Sequence, residues 1–323
     1  MKDLVVGIDI GGTNTKIGIV DREGNLLHHT SIETTAYIEV EDYFNGMADT
    51  IKILSRNLTA DQKLVGIGVG AANGNYYTGT IERSTNLRWK GIIPLAKMFT
   101  DAFHIPCLLT NDANAAALGE MVYGNAKGMK DFLVITLGTG LGSGFVCNGA
   151  LLNGHNGIAG ELGHTTVNPN GRYCNCGKRG CLETYVSATG IRRTVYKLLA
   201  DYLEPSELRG ISFEDLNTKM ITDAALRGDA VAKQCFEYTG RILGLKLADA
   251  VVHTDPEAIF IFGGLAQARE LIFTPTIRSM EQNLMPLFRN KVKVLPSGLE
   301  NQSAPIVGAS SLIWDLLEKQ NKA

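Results

Sequence analysis

Two stretches of this chain repeat one pattern, and that repetition restricts the fold more than any other feature of the sequence. In the first, the apolar, β-branched run Leu4 to Ile10 leads into Asp9-Ile10-Gly11-Gly12-Thr13-Asn14-Thr15, a second run from Ile17 to Val20, a turn at Asp21 to Asn25 and a third short strand. In the second, Phe132 to Leu137 leads into Gly138-Thr139-Gly140-Leu141-Gly142-Ser143-Gly144, then Phe145 to Cys147, an Asn148-Gly149 turn and a third short strand. Each is a hairpin with an unusually open first turn. Glycines there let a bound group approach the backbone amides, because no Cβ stands in the way. Facing each other across a cleft, Gly11, Gly12 and Thr13 on one side and Gly138, Thr139 and Gly140 on the other would hold a polyphosphate, with Lys16 as a further contact. Neither turn has P-loop spacing, and no G-x-G-x-x-G opens a helix after the first strand.

Asp9 closes the first strand beside that turn. A carboxylate next to phosphate is repulsive unless a divalent cation lies between them, so Mg²⁺ is expected there, held through water because it sheds its hydration reluctantly. The segment between the two copies reads as one lobe. Phe44, Met47, Ile51 and Leu54 recur at helical spacing within Asp42 to Asn57, Leu64 to Val69 is a strand, a helix runs from Pro94-Leu95 to about Phe103, and Cys107 to Thr110 is a buried strand. Asn86, in the loop before Pro94, is either a turn residue or a substrate contact. Asp112 stands where the strand ends and an alanine-rich helix begins. It is either a helix cap or a catalytic carboxylate, and three capping-type residues in Asn111-Asp112-Ala113-Asn114 exceed what one helix needs. At a helix N-terminus its pKa should be low.

Past the second hairpin, Glu161 and His164 lie on a loop flanked by glycines, close to Cys174, Cys176 and Cys181. One histidine and three thiolates make the tetrahedral donor set of structural Zn²⁺, although C-x-C-x₄-C departs from common finger spacing. A helical pattern follows from Glu183 to about Leu203, then a long helix from Ala230 to His253, a strand from Ala258 to Phe262 and the pair Gly263-Gly264. That pair either passes a flat ring over bare backbone or only turns the chain. Ile306 to Leu317 is a last helix whose apolar face has to pack, plausibly on the first lobe. With 323 residues the chain exceeds what one core serves well, so two lobes with a cleft between them are expected. A net charge of −2 gives no field to gather nucleic acid or an anionic membrane, and no apolar run is long enough to cross one. The start lacks a secretory signal, and with the clustered cysteines a cytoplasmic, reducing setting is the expectation.

Taken together, these residues resemble the ROK family, which contains bacterial glucokinases, other hexose and N-acetylhexosamine kinases, and sugar-responsive repressors. The resemblance rests on DIGGT at Asp9 to Thr13, LTNDANAAALGE at Leu109 to Glu120, LGTGLGSG at Leu137 to Gly144, GELGH at Gly160 to His164, CNCGKRGCLE at Cys174 to Glu183 and FGG at Phe262 to Gly264, all in the family's order. It implies an α/β, actin-like ATPase fold, a duplicated ribonuclease-H-like architecture of two lobes around a central cleft. Residues 1–117 with about 305–323 would form the small N-terminal lobe, and 118–304 the large C-terminal lobe with the second hairpin, the zinc clip and an adenosine loop at Gly263-Gly264. By position, Asp112 resembles the catalytic base, Asn86, Asn111, Glu161, His164 and Glu183 the residues that hold sugar hydroxyls, and His164, Cys174, Cys176 and Cys181 the zinc ligands. The implied reaction moves the γ-phosphate of ATP to the 6-hydroxyl of a hexose, glucose first, in a homodimer. Ala71-Ala72-Asn73-Gly74 departs from a proline-bearing turn of many relatives and leaves N-acetylmannosamine, N-acetylglucosamine, fructose and allose open. A sugar-sensing regulator is the reading from another class; only Met1-Lys2-Asp3 precedes the first strand, so no helix-turn-helix domain is expected.

Overall fold

The computed structural model describes residues 1–84, 87–299 and 304–322. Its first half is a five-stranded sheet of β1 (Lys2–Ile10), β2 (Asn14–Val20), β3 (Leu26–Glu33), β4 (Gln62–Ala71) and β8 (Cys107–Thr110), in the order β3-β2-β1-β4-β8. β1, β2 and β3 are antiparallel neighbours, and β4 and β8 are added in parallel. The helices α1 (Val40–Ser55) and α2 (Leu95–Phe103) and a small sheet of β5 (Gly74–Asn75), β6 (Thr80–Glu82) and β7 (Ile92–Ile93) fill the crossovers. The helix α3 (Asp112–Tyr123) then leads to the second half.

That half repeats the plan with β9 (Phe132–Leu137), β10 (Leu141–Cys147), β11 (Ala150–Leu151), β12 (Ala258–Phe262) and β13 (Lys293–Pro296), in the order β11-β10-β9-β12-β13. Again three antiparallel strands are followed by two parallel ones. The helices α4 (Ala188–Asp201), α5 (Thr218–Arg227), α6 (Ala230–Thr254) and α7 (Glu270–Asn283) cover one face, and α8 (Ala304–Lys322) returns to β1 and β4 of the first half. The duplication read from the two hairpins therefore extends to whole sheets.

The two-residue period of the strands explains why β1 and β9 read as unbroken apolar runs: both of their faces are covered. Leu4, Val6, Ile8 and Ile10 face a core with Tyr43, Met47, Ile51 and Phe99, while Val5 meets Ile313 and Trp314 of α8. In β9, Leu133, Ile135 and Leu137 join the large core under α4 to α7, and Phe132 and Val134 pack with Ala117 of α3. α3 itself lies between the sheets. A Cβ on Gly70 of β4 would stand 3.2 Å from Ala115 Cβ, and one on Gly142 or Gly144 of β10 would stand 2.8 Å from Ala113 Cβ or 2.7 Å from Ala117 Cβ. The alanine-rich sequence of α3 and the glycines opposite it are what allow so close an approach on both sides.

Most elements fall where the sequence places them, with one clear difference. The helix expected from Glu183 is broken: Leu182–Thr184 is a single 3₁₀ turn, and α4 starts afresh at Ala188. Ser187 causes the restart, with extended backbone and a side chain that accepts the Gly190 N–H at 2.9 Å.

Candidate active site

The first turn joins β1 to β2 beyond the facing pair Ile10 and Thr15. Gly11 N–H donates to the Asn14 carbonyl at 3.1 Å, Thr34 N–H to the Thr13 carbonyl at 2.8 Å and the Thr34 hydroxyl to the Gly11 carbonyl at 2.9 Å. Behind it the Thr15 hydroxyl meets those of Thr34 and Tyr43. Carbonyls are thus consumed inward, while among the described residues the N–H groups of Gly12 and Thr13 have no protein acceptor. Asp9 and Lys16 face each other across the strand pair just below the turn. Burial, reinforced by the nearby charge of Asp112 and offset in part by Lys16, pushes the Asp9 carboxyl up to about 6. Such a carboxylate is short of positive charge, and the site fits a hydrated divalent cation.

The second turn lies between Leu137 and Leu141 of β9 and β10. Gly138 N–H donates to the Gly140 carbonyl at 3.0 Å, and the Gly138 carbonyl accepts from Ala188 N–H at 2.9 Å. Among the described residues the amides of Thr139 and Gly140 have no protein acceptor, which matches the first turn. β12 runs parallel to β9, so Gly263 and Gly264 emerge beside this turn. Gly263 has φ +107°, and a Cβ there would run into Leu137 backbone, so glycine is required; nothing lies within 4 Å of a Cβ on Gly264.

Asp112 opens α3 between the two turns. The cap of that helix is Asn111, whose side chain accepts Ala113 N–H at 2.8 Å, so the helix does not depend on Asp112 for capping. One Asp112 oxygen shares the same N–H at 2.9 Å. The low pKa expected at a helix N-terminus is not found: burial, with Glu183 adding to it, raises the Asp112 carboxyl, and the Ala113 N–H offsets this in part. The side chain is reachable by solvent from the cleft. Yet it sits at the cleft floor with protein on its other sides, and that surrounding mass outweighs the partial charge of the helix end.

Glu161 lies beside Asn111, the residue before Asp112, with its Oε1 3.5 Å from Asn111 Nδ2 and its Oε2 4.0 Å from His164 Nε2. Its carboxyl is raised by burial, while His164 draws it down and Asp112 and Glu183 push it up. Asp9, Asp112, Glu161 and Glu183 therefore gather at one place, a set of acceptors suited to hydroxyl groups. Glu183 is turned partly away from the sugar wall expected of it: Oε2 accepts Leu141 N–H at 3.0 Å and Oε1 lies 3.7 Å from Cys174 Sγ. Asn86 lies outside the described residues.

The cysteine cluster closes as the sequence suggests. A bridge pairs Thr166 with Cys181, Leu182 N–H donates to the Thr165 carbonyl at 2.9 Å, and the turn through Gly177, at φ +89°, brings Cys174 and Cys176 back to them. The ligand atoms of His164, Cys174, Cys176 and Cys181 all lie within 4.8 Å of one another. Cys174 Sγ is 3.6 Å from His164 Nδ1, and Cys176 Sγ is 3.6 Å from Cys181 Sγ. A tetrahedral ion with metal–sulfur bonds of about 2.3 Å sets its ligand atoms about 3.6–3.8 Å apart, so the donor set fits Zn²⁺ in spacing and in chemistry. With Nδ1 toward the cluster, Nε2 is left facing Glu161.

Two residues that matter to the site escaped the sequence reading. Ser143 lies inside the glycine motif, and its Oγ donates to the Gly160 carbonyl and accepts Leu162 N–H at 3.1 Å, which fixes the loop carrying Glu161. A hydroxyl among glycines was the available signal. Asn75 gives its amide to Glu82 at 3.0 Å and to the Asn156 carbonyl at 2.9 Å, joining the small sheet to the loop after β11. Its partner is 81 residues away, and nothing local marks it.

Two ribonuclease-H-like halves with carboxylates and amide-bearing turns between them constitute the actin-like ATPase fold. Within it the chain belongs to the ROK family, whose description matches residues 5–315. A glucokinase of Halalkalibacterium halodurans is 35% identical over 322 residues, 98% of this chain and 96% of that protein. A ROK family glucokinase of Streptomyces griseus, solved with glucose and AMPPNP, is 32% identical with a TM-score of 0.79 over 96% of this chain and 98% of that one. A ROK family transcriptional regulator, a homolog of the E. coli MLC protein, is 26% identical with a TM-score of 0.87 over 98% of this chain and 79% of that one.

Proposed function

We propose that this protein is an ATP-dependent hexose kinase that transfers the γ-phosphate to the 6-hydroxyl of glucose. The observation that carries the reading is the position of Asp112: a carboxylate not needed for capping, set between two turns whose amides are free for phosphate. Similarity points the same way, since glucokinases are 32–35% identical to the chain and the regulator is 26% identical. Phosphoryl transfer asks mainly for alignment and charge neutralisation. The free amides of Gly12 and Thr13 and of Thr139 and Gly140 would hold phosphate oxygens, while the Gly11 and Gly138 amides, expected to join them, are engaged within their own turns and shape them; Lys16 lies beside the first turn and Gly263-Gly264 under the adenosine. Asn111, Glu161, His164 and Glu183 line the sugar side, and Asn86 belongs to the same set. Asp112 takes the hydroxyl proton as the new bond forms. Its raised pKa makes it a better acceptor than an ordinary surface carboxylate, provided it is ionised.

Asp9 would hold Mg²⁺ through water, and His164, Cys174, Cys176 and Cys181 would hold Zn²⁺. Bound with ATP, Mg²⁺ supplies the positive charge that offsets the triphosphate. The clip keeps the Glu161 loop in register, away from the reacting atoms. Residues 1–117 with about 305–323 are assigned to one lobe and 118–304 to the other, with the division falling inside α3. We further place the protein in the cytoplasm as a homodimer with no nucleic-acid partner; among the described residues no helix is long and apolar enough to cross a membrane. ADP release measured with ATP and glucose, N-acetylmannosamine, N-acetylglucosamine, fructose or allose tests the assignment. Turnover fastest with glucose is expected, and turnover with none of these sugars would remove the kinase reading. Metal analysis of protein purified without added metal should return about one zinc per chain.

A further inference from the structure

Glu183 stands between the second glycine turn and the Cys/His cluster. One carboxylate oxygen holds the Leu141 N–H at 3.0 Å, at the end of the second glycine turn, and the other lies 3.7 Å from Cys174 Sγ in the clip. The fit against the turn is close enough that a Cβ on Gly140 would collide with Glu183 Oε2. Its own segment is fixed to both sides: Cys181 immediately precedes the 3₁₀ turn that carries it, and four residues after that turn Ala188 N–H holds the Gly138 carbonyl at 2.9 Å.

We propose that Glu183 is a positioning residue that makes the nucleotide turn dependent on the metal clip, so that the state of the Cys/His cluster sets affinity for the nucleoside triphosphate as well as for the sugar. The inference rests on the kinase reading and on the clip being metal-loaded; with Cys174 then a metal-bound thiolate that has no proton to give Glu183 Oε1, the tie runs through Cys181 and the backbone of the turn that carries Glu183. It also assigns a reason to Gly140 beyond phosphate approach, namely room for the Glu183 carboxylate.

The experiment measures binding of Mg·AMPPNP without sugar, by calorimetry, to the full-length protein as purified, after metal removal by chelation, and as the variants Gly140→Ala, Glu183→Ala, Glu183→Gln and the double variant Gly140→Ala/Glu183→Ala, each with its zinc content and circular dichroism recorded. Metal removal should weaken nucleotide binding about tenfold. Glu183→Ala should do the same with zinc retained, while Glu183→Gln, which keeps an acceptor for Leu141 N–H, should stay within about threefold of the parent. Gly140→Ala should weaken binding in the parent and add nothing in the Glu183→Ala background, because the collision partner is gone. Folded, metal-free protein or zinc-replete Glu183→Ala with parental nucleotide affinity would overturn the inference and leave the kinase reading intact. Should chelation unfold the chain, the zinc-replete variants alone decide. Absence of AMPPNP binding in the untreated protein would instead remove the kinase reading, and with it this inference.

Discussion

The two glycine hairpins share a topology and differ in charge and in support. Each joins two antiparallel strands at the centre of a five-stranded sheet. One position before the last strand residue, the first carries Asp9 opposite Lys16 and the second carries Thr136 opposite Gly142. The first is braced by the hydroxyls of Thr15, Thr34 and Tyr43, all within its own half. The second is braced by Glu183 and Ala188, from the segment that follows the cysteines. The halves repeat one scaffold and differ in charge: the acidic turn would take the cation proposed above, and the neutral turn is tied through Glu183 to the Cys/His cluster. Asp112 belongs to neither, and rides on a helix seated against both sheets.

Asp112→Asn should lower kcat by about 10²–10⁴-fold while AMPPNP still binds, since it removes the base and leaves both turns whole. A kcat near the parent value would place the base elsewhere.

Asp9→Asn should lower kcat/KM for ATP by about 10²-fold. It should also raise stability at pH 7 by up to about 3 kcal/mol, because keeping Asp9 ionised costs the folded state. The sign follows from a carboxyl raised from 3.8 to about 6: folded protein binds the proton more tightly than unfolded, so stability falls as pH rises from about 4 to about 6 and is flat beyond. Thermal melts of parent and variant across that range check this, and the Asn variant should have the weaker slope.

Thr136→Asp makes the second hairpin resemble the first in charge. Without a cation of its own it should repel the triphosphate and weaken nucleotide binding about tenfold, read by AMPPNP titration. Unchanged affinity would mean that the two turns are not divided by charge as described. The smallest effects on chemistry come from the glycines that seat helices. Gly144→Ala brings a Cβ to 2.7 Å from Ala117 Cβ and from the Ala113 carbonyl, and should cost about 1–3 kcal/mol in urea melts. Because α3 shifts, kcat should fall with it, whereas Gly18→Ala, which meets Leu26 and Ile306 side chains, should lower stability alone.

Local sequence carried much of this. The paired hairpins are visible because each strand is a β-branched run and each turn breaks it with glycine, and the strands Cys107–Thr110 and Ala258–Phe262 fall on the expected residues. The clip is visible because four soft ligands lie within 18 positions of one another, Cys181 being the last and His164 the first. Features set by distant partners are not visible. The raised pKa of Asp112 depends on the walls of the cleft and on Glu183, and the local rule of a helix N-terminus gives the opposite sign. Glu183 is legible as a sugar-side residue, but its hold on the Leu141 N–H is not, because Leu141 lies 42 residues away. The sheet of β5 to β7 is built from strands of two or three residues, too short to show a period.

Asp112 and the two turns are proposed to act together in moving a phosphoryl group onto a sugar. Phosphorus NMR of the zinc-replete protein with Mg·ATP and glucose tests it most directly. The prediction is ADP and a hexose 6-phosphate formed in equal amounts, abolished by Asp112→Asn. ATP consumed without a phosphorylated sugar, or no consumption with any hexose, would contradict it.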